Sequence, residues 1–490
     1  MSRSAKPFLL AHSLALVALL TAGCVTPGEP SRGHPWAEGW RELSTPHFRL
    51  RTNLEPDEAR TEARDLEQLR AALLRTWGDH FDPPGQVDVT LFASVSQLAA
   101  FTGAHSAGFT EWRGSEARMV MALPDLATPD LQGTQVQAHE LTHYLSLFVL
   151  LRQPRWVAEG FACYFESATL DKAEAQVIFG MPSPHMIGLL RRFAPLPLSA
   201  LWGWKGGIGE ENEGALYAAS FAWVHYLLNI QTRRFADFQR RLMLAEEPQE
   251  AFTESFRGVD RAALERGLQT YLRSPLPAQT APFAAVTPTL SERHLPAAQV
   301  HALFARLWLR TRGPQLGSER RGYGETELRY ALAEDPAGLE AAELAAELAP
   351  RKERLGRVRA LAKAHPDRAE AWSDLASVLA AEGGAPAERD QALRRSLALR
   401  PDDAQTLDLF ALAALERNVP SEAVAPAERA AALAPWSAGV LEVYAAALAG
   451  VHRCEEASRA EERARDLLGV QTHPRSRELR EGCPSPVGPP

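Results

Sequence analysis

The chain has 490 residues, of which 46% are hydrophobic and 23% are charged, and its formal net charge is −8. This length exceeds one ordinary hydrophobic core, so two or three domains are expected. The modest negative charge and the absence of a long basic run give nucleic-acid binding no electrostatic support, and we expect no nucleic-acid partner.

The first 23 residues have the pattern of an export signal. Arg3 and Lys6 precede the apolar run FLLAHSLALVALLTA, which is short for a membrane span. The run ends in LTAGC, which resembles the lipobox of bacterial lipoproteins. The resemblance implies a lipid anchor on Cys24 and residence in the bacterial cell envelope, with Val25 favouring the outer membrane. An ordinary secretory signal cut nearby is the alternative.

Residues 24–35 are predicted to be a flexible tether, and residues 36–273 an α+β domain in which strands precede most helices. Strands are predicted at HFRLRTN, VDVTLFAS and ARMVMALP. Helices are predicted at 56–77, at SVSQLAAFTG, at 134–151, at 155–168 and at YAASFAWVHYLLNIQ.

The second half of the chain repeats itself. Residues 274–298 are rich in Pro, Ala and Thr and are predicted to be a linker. In residues 299–470 similar side chains recur 34 positions apart, at Pro401 and Pro435, Leu407 and Leu441, Phe410 and Tyr444, Ala423 and Ala457, and Ala430 and Ala464. This size pattern resembles the tetratricopeptide repeat, which implies an all-α helical repeat domain that binds a protein partner.

The repeat pattern extends towards the linker. One earlier unit is predicted at about 366–400 and a degenerate one at about 327–350, with a tail at 471–490. An unrelated Ala-rich helical bundle is the alternative. Four cysteines are too few for a disulfide scaffold. Cys454 and Cys483 lie in the same region, and either a disulfide or two free thiols fits the sequence.

The stretch QAHELTHYLSLFVLLRQPRWVAEGFACYFE, residues 137–166, puts paired histidines and glutamates into an apolar run. His139 and His143 are one helical turn apart, so both imidazoles project from one face and can bind Zn²⁺. Glu140 projects about 100° away and suits a general base acting on a zinc-bound water. A catalytic zinc usually has three protein ligands, and Glu159 on the next helix is the natural third. A buried ion-pair cluster without metal, or a zinc without catalysis, are the alternatives.

HELTH followed by WVAEGFACYFE resembles the gluzincin zinc metallopeptidases of the thermolysin-like clan, especially the peptidase-MA-like domains of bacterial envelope proteins. The resemblance implies a zincin-like α+β fold, zinc ligation by His139, His143 and Glu159, and catalysis by Glu140. It also implies a peptide or protein substrate. Related domains carry a Tyr or His on a later helix, which implies that Tyr217 donates to the oxyanion. An ordinary packing tyrosine is the alternative.

Several neighbouring residues receive structural predictions. Glu166 is expected to be exposed or to support a metal ligand. Cys163 is expected to be a small core residue, with metal ligation as the alternative. His225 is expected to be a hydrogen-bonded core or supporting histidine, and Trp156 to pack beneath the zinc helix. The strand ARMVMALP is predicted to be a sheet edge that binds substrate backbone.

A second function from another class also fits the sequence. The peptidase-like part is then inactive, and the lipoprotein acts through its repeats as a protein-binding scaffold or an envelope assembly chaperone. The intact Glu140 favours the peptidase, because an inactive relative often loses its catalytic base.

Overall fold

A computed structural model describes residues 38–78, 81–102, 107–125, 134–171, 173–204, 213–311, 317–468 and Cys483. The predicted signal segment, Cys24 and the tether lie outside these residues, as does nearly all of the predicted tail. Within the described ranges, no helix has the length and apolar character needed to cross a membrane. Cys454 and Cys483 are joined by a disulfide bond.

The described strands form two sheets. They are β1 (Arg41–Ser44), β2 (Phe48–Thr52), β3 (Val87–Phe92), β4 (Gly108–Arg113), β5 (Glu116–Ala122), β6 (Thr169–Asp171), β7 (Gln176–Phe179), β8 (Gln279–Pro282) and β9 (Ser291–His294). The larger sheet has the order β4-β5-β3-β2-β1-β9, and the smaller one has the order β6-β7-β8. In the larger sheet β3 is parallel to β2 and β5, and the remaining pairs are antiparallel.

Helices make up most of the described chain. In the first half they are α1 (Pro56–Trp77), α2 (Val95–Thr102), α3 (Gln135–Val149), α4 (Arg155–Phe165), α5 (Pro184–Arg192), α6 (Leu198–Trp202), α7 (Glu213–Ile230), α8 (Thr232–Met243), α9 (Pro248–Ser255) and α10 (Arg261–Tyr271). In the second half they are α11 (Ala297–Arg310), α12 (Gly317–Glu334), α13 (Leu339–Leu348), α14 (Arg351–Ala364), α15 (Ala369–Glu382), α16 (Pro386–Leu399), α17 (Ala404–Glu416), α18 (Pro420–Leu433), α19 (Ala438–Gly450) and α20 (Cys454–Leu468).

The strand pattern explains how the larger sheet is covered. Phe48 and Leu50 face one side and join the main core with α1, α3 and α4. Arg49 and Arg51 face the other side, because successive strand residues alternate. There Arg49 pairs with Asp88 on β3, and Arg51 pairs with Glu340 on α13. One face of the sheet therefore packs on apolar helices. The other face carries a charged layer around Arg49 and Arg51, and beside it Val120 and Ala122 belong to a second apolar core.

One strand prediction and the predicted linker need correction. ARMVMALP forms β5, but β5 is not an edge, since β4 pairs along its whole length. The edge strand next to β5 is β4, whose residues GFTEWR are half-buried or exposed and lack a clear apolar alternation. The predicted linker 274–298 contains β8 and β9, which pair with β7 and β1. Its composition gave no sign of these long-range pairings.

A long helical repeat region follows. Here α16, α18 and α20 begin 34 residues apart, at Pro386, Pro420 and Cys454. The alanines that recur at this interval are buried, since Ala423, Ala430, Ala457 and Ala464 are at most 6% exposed. The predicted unit 366–400 corresponds to α15 and α16. The degenerate unit predicted at 327–350 is out of phase, because it covers the end of α12 and the whole of α13, whereas α13 and α14 form the hairpin.

The repeat region contacts the first half of the chain at both ends. At its start Phe304 and Trp308 of α11 share a small core with Trp40 and Phe101. At its end Arg152, just after α3, forms ion pairs with acidic residues of α20. A cavity of about 1250 Å³ lies between the charged face of the sheet and the repeat helices.

Candidate metal centre

The helix pair α3 and α4 carries the predicted metal ligands. His139 and His143 lie one turn apart on α3, and their ring centroids are 4.8 Å apart. Pro154 is the N-cap residue of α4 and ends the short connection between the helices. Because α4 packs against α3, Glu159 on α4 faces the two imidazoles.

Three ligand atoms converge at this point. The Nε2 atoms of His139 and His143 are 3.2 Å apart. The Oε2 atom of Glu159 lies 3.3 Å from Nε2 of His143 and 3.8 Å from Nε2 of His139. Ligand atoms bound at about 2.0–2.1 Å to one tetrahedral zinc are about 3.3 Å apart, so the three atoms are close to the separations that one ion requires.

The chemistry of the donors also fits a metal. Glu159 is 8% exposed, and among the described residues its buried Oε2 atom has no well-formed hydrogen bond, with Nε2 of His143 nearest at 3.3 Å. A buried carboxylate oxygen without a partner is costly, and a cation between it and the imidazoles would remove that cost. Burial alone would raise the pKa of Glu159, but the facing His143 outweighs burial and lowers it. The carboxylate is therefore ionised and suited to ligation.

Two further side chains, Glu166 and Cys163, contact the imidazole of His139. Its Nδ1 atom lies 3.5 Å from Oε2 of Glu166, whose Oε1 atom accepts a hydrogen bond of 2.8 Å from Ser183. Cys163 is 3% exposed, and burial raises the pKa of its thiol to about 12. Burial disfavours a charged His139, but hydrogen bonds with Cys163 and Glu166 outweigh it and raise the pKa of His139.

Glu140 is placed apart from the three ligand atoms. Its Oε2 atom accepts a hydrogen bond of 2.8 Å from the Thr110 hydroxyl on the edge strand β4. The same hydroxyl lies 3.2 Å from the Glu140 backbone carbonyl. Gly108 on the same strand allows this approach, because a Cβ there would lie 3.2 Å from Cγ of Glu140 and 2.6 Å from Val136. The base candidate is thus held against β4, the terminal strand of the described sheet.

Tyr217 lies on α7 on the Glu159 side of the centre. Its ring packs edge-to-face on Trp204, and the Arg155 guanidinium lies over the same Trp204 ring. Arg155 is also 3.5 Å from Oε1 of Glu159. Burial and then the Glu159 charge raise the pKa of Tyr217, so its hydroxyl is a neutral donor.

The other singled-out residues have structural partners. His225 is fully buried, with Nε2 2.9 Å from the Gly180 carbonyl and Nδ1 2.8 Å from the Tyr271 hydroxyl. These partners confirm that His225 is a hydrogen-bonded core histidine. Trp156 is fully buried, and its aromatic contacts are with Trp202, Phe238 and Phe252.

Two residues of the centre were not predicted from the sequence. Arg155 is four residues before Glu159, and this i,i+4 spacing is a signal that could have indicated it. Thr110 gave no signal, because it lies on a strand that was not predicted and 30 residues before Glu140.

No family model matches the chain, and no curated protein matches it. Among solved structures it is similar to two crystal structures of MamA. The first shares 15% identity over 34% of this chain and 91% of that chain, with a TM-score of 0.25. The second shares 16% identity over 32% of this chain and 95% of that chain, with a TM-score of 0.25.

Proposed function

We propose that the chain is a zinc-dependent metallopeptidase of gluzincin type. The observation that carries this proposal is the convergence of His139, His143 and Glu159, with the partnerless Oε2 of Glu159 directed at the two imidazoles. Glu140 is held beside this trio by Thr110. Four residues in these relative positions suit metal-assisted hydrolysis, because one cation between the imidazoles and Oε2 of Glu159 would bond all three atoms at their observed separations.

The metal ligands, Glu140, Tyr217 and β4 would each have a separate role in peptide hydrolysis. Zinc, when bound by the trio, supplies Lewis acidity that lowers the pKa of a water towards about 7 and polarises a carbonyl. Glu140 takes the proton of the attacking water and returns it to the leaving amide nitrogen. Tyr217 donates its hydroxyl proton in a hydrogen bond to the oxyanion. β4, the terminal strand of the described sheet, lies next to Glu140 and can hold an extended substrate backbone by strand addition.

The proposed setting is the bacterial cell envelope. Cys24, in the lipobox-like sequence, would carry a lipid and tether the protein to a membrane, with the outer membrane favoured. The Cys454–Cys483 disulfide supports export, because disulfides persist in oxidising compartments.

A second candidate function is a protein-binding scaffold with an inactive peptidase part. The observation that favours it is the helical repeat region, which borders the cavity of about 1250 Å³ and presents charged side chains to it. A partner segment held there would use the repeats alone and would not require zinc.

Metal content separates the two functions. The full chain, purified in detergent, is compared with His143→Ala and with the control His185→Ala, which removes an exposed histidine. We expect about one zinc per chain in the wild type and the control, measured by elemental mass spectrometry, and none in His143→Ala. The rate at which each protein cleaves an unfolded substrate such as casein should rise and fall with its zinc content.

Two outcomes would count against the peptidase. Equal zinc in His143→Ala and the wild type would show that the ion binds elsewhere. A folded wild-type protein that neither contains nor takes up zinc would leave the repeat region as the functional part of the chain.

A further inference from the structure

The cavity between the sheet and the repeat helices has two unlike walls. One wall consists of the charged face of the larger sheet and α11, and its arginines are Arg49, Arg113, Arg118, Arg306 and Arg310. The other wall consists of α13, α15 and α17, which carry most of the carboxyl groups. Among the described residues that line the cavity, eleven are acidic and eight are arginines, so carboxyl groups are in excess.

The arginines of the first wall already have carboxylate partners. Arg49 donates to both oxygens of Asp88 at 2.6 Å. Arg113 donates to Glu347 at 2.6 Å, and Arg310 pairs with the same carboxylate. An anionic partner would have to displace one of these carboxylates, so the first wall does not favour an anion.

Three carboxyl groups of the second wall have no such partner. Asp374 on α15 forms no hydrogen bond or ion pair with another described residue. Glu382, two turns further along α15, and Glu343 on α13 each have a buried Oε1 atom without a hydrogen-bond partner among the described residues. The Oε2 atom of Glu343 is 3.5 Å from Arg306, beyond the usual 2.7–3.2 Å or so of a hydrogen bond. A cation in the cavity would offset the cost of burying these groups.

The pKa values of two of these groups reflect the same shortage of positive charge. Burial and then the neighbouring Asp374 raise the pKa of Glu343 to about 8. Burial and then Glu116 raise the pKa of Asp374 to about 6. Arg306 opposes both shifts without outweighing burial. A cation between the two carboxyl groups would favour the ionised form of each.

The spacing of the carboxyl groups indicates an organic cation rather than a metal ion. Within the described ranges, the groups of three side chains close enough to share an ion include His139 in each case, and none of them lies in this cavity. The volume of about 1250 Å³ also exceeds the 300–1,000 Å³ or so of a typical small-molecule site.

Trp436 indicates that the occupant is a peptide. It lines the cavity and is 9% exposed, and its indole Nε1–H has no acceptor among the described residues. A backbone carbonyl of an extended peptide would supply that acceptor. Val378, Leu409 and Val440 line the same cavity and can contact the aliphatic stem of a lysine or arginine side chain.

We propose that this cavity binds an extended segment of a partner protein through a lysine or arginine side chain held by Glu343 and Asp374. The cationic group lies between α13 and α15, and the peptide backbone runs across α17 towards Trp436. The proposal rests on the second candidate function, in which the repeat region binds a protein, and it does not require zinc.

Fluorescence anisotropy with the full chain in detergent measures this binding. The chain carries Glu140→Gln, so that the probe is not cleaved. The probe is a labelled, end-blocked, alanine-rich nonapeptide with two arginines, and it is compared with its citrulline and glutamate counterparts. Citrulline keeps the shape of arginine without its charge. We expect the arginine peptide to bind roughly tenfold or more tightly than either counterpart.

A double variant locates the peptide. Glu343→Gln with Asp374→Asn removes both charges, keeps the side-chain sizes and relieves the repulsion between buried carboxyl groups, so the protein should remain folded, as thermal unfolding checks. It should bind the arginine peptide roughly tenfold or more weakly than the parent protein. The control combines Glu428→Gln and Glu455→Gln, which are exposed and outside the cavity, and it should bind like the parent protein.

The outcomes separate this proposal from the peptidase proposal. Equal or tighter binding of the citrulline or glutamate peptide would overturn it, as would equal binding by the double variant and the parent protein. Loss of peptide binding in His143→Ala, or after zinc is removed with a chelator, would assign the peptide to the metal centre and also overturn it. Charge-selective binding that persists without zinc would support the cavity site even if the chain does not hydrolyse casein.

Discussion

Two helix pairs of this chain bury opposite kinds of side chain. Between α17 and α18 the contact is made by small apolar residues, including Ala411, Ala414, Ala423 and Ala427, all fully buried. Between α3 and α4, helices that also contribute to the apolar core, two histidines face Glu159. The first pair needs only complementary shape. The second pair brings polar groups together, and residues outside the two helices complete the hydrogen bonds of these groups.

The difference shows why the α3–α4 pair depends on the rest of the molecule. Glu140 takes its hydrogen bond from β4, and Glu166 takes one from Ser183, the N-cap residue of α5. The repeat hairpins pack chiefly on their neighbours in the chain, as stacked repeats do, and Trp436 between α18 and α19 also packs on Tyr144 and Phe148 of α3. A change in the α3–α4 pair should therefore affect chemistry, and a change in a repeat hairpin should affect local stability.

The largest effect is expected for Glu140→Gln. The amide keeps the size of the side chain but cannot take a proton, so hydrolysis of casein should fall by a factor on the order of 10²–10⁴. Zinc content should be unchanged, because Glu140 is not among the three converging ligands.

The exposed Glu58→Gln on α1 is the matched control and should keep full activity. If Glu140→Gln hydrolyses casein at the wild-type rate, Glu140 is not the general base. Loss of zinc together with activity would instead make Glu140 a ligand or a residue that shapes the site.

The sequence could predict the α3–α4 pair because its information is local. The four-residue interval between His139 and His143 determines that they share a face, and Pro154 marks where the next helix begins. The partners from elsewhere could not be predicted in the same way. Thr110 lies on an edge strand of mixed polarity, and Arg51 pairs with Glu340, 289 residues away. Such contacts depend on how strands and repeats are placed in space, which residue periodicity does not encode.

A smaller effect is expected at the contact between α4 and α7. A Cβ at Gly160 would lie 2.4 Å from Cγ2 of Val224 and 2.6 Å from the Ser220 carbonyl. Gly160→Ala should therefore push the helices apart and lower the free energy of unfolding by about 1–3 kcal/mol. Because Glu159 is the preceding residue, zinc should also bind more weakly, as measured by competition with a chelator.

Gly356 provides the matched control in the repeat region. It lies inside α14 and is exposed, and a Cβ at this position would have no neighbouring atom within 4 Å. Gly356→Ala should raise the free energy of unfolding by about 0.5–1 kcal/mol, because alanine loses less entropy in a helix. Urea unfolding measures both variants, and equal effects would refute the close contact at Gly160.

The smallest effect concerns two glutamates on α13 that face the charged side of the sheet. Burial and then the neighbouring Asp374 raise the pKa of Glu343 to about 8, despite the opposing charge of Arg306. Burial would also raise the pKa of Glu340, but Arg51 outweighs it and lowers the pKa to about 2. The two carboxyl groups should therefore affect stability in opposite directions.

The pH dependence follows from these shifts relative to the ordinary value of 4.5. Between pH 4.5 and about 8, folded Glu343 keeps a proton that the unfolded chain has lost, so stability falls as pH rises. Glu343→Gln removes this penalty and should stabilise the protein at pH 8, but not at pH 4, by an amount on the order of 1 kcal/mol. The ion pair of Glu340 contributes above pH 4.5 and is lost as pH falls towards about 2. Glu340→Gln should therefore lower the free energy of unfolding at pH 8 and much less at pH 3, as measured by urea unfolding. If both variants change the free energy of unfolding in the same direction at pH 8, the result contradicts this charge arrangement.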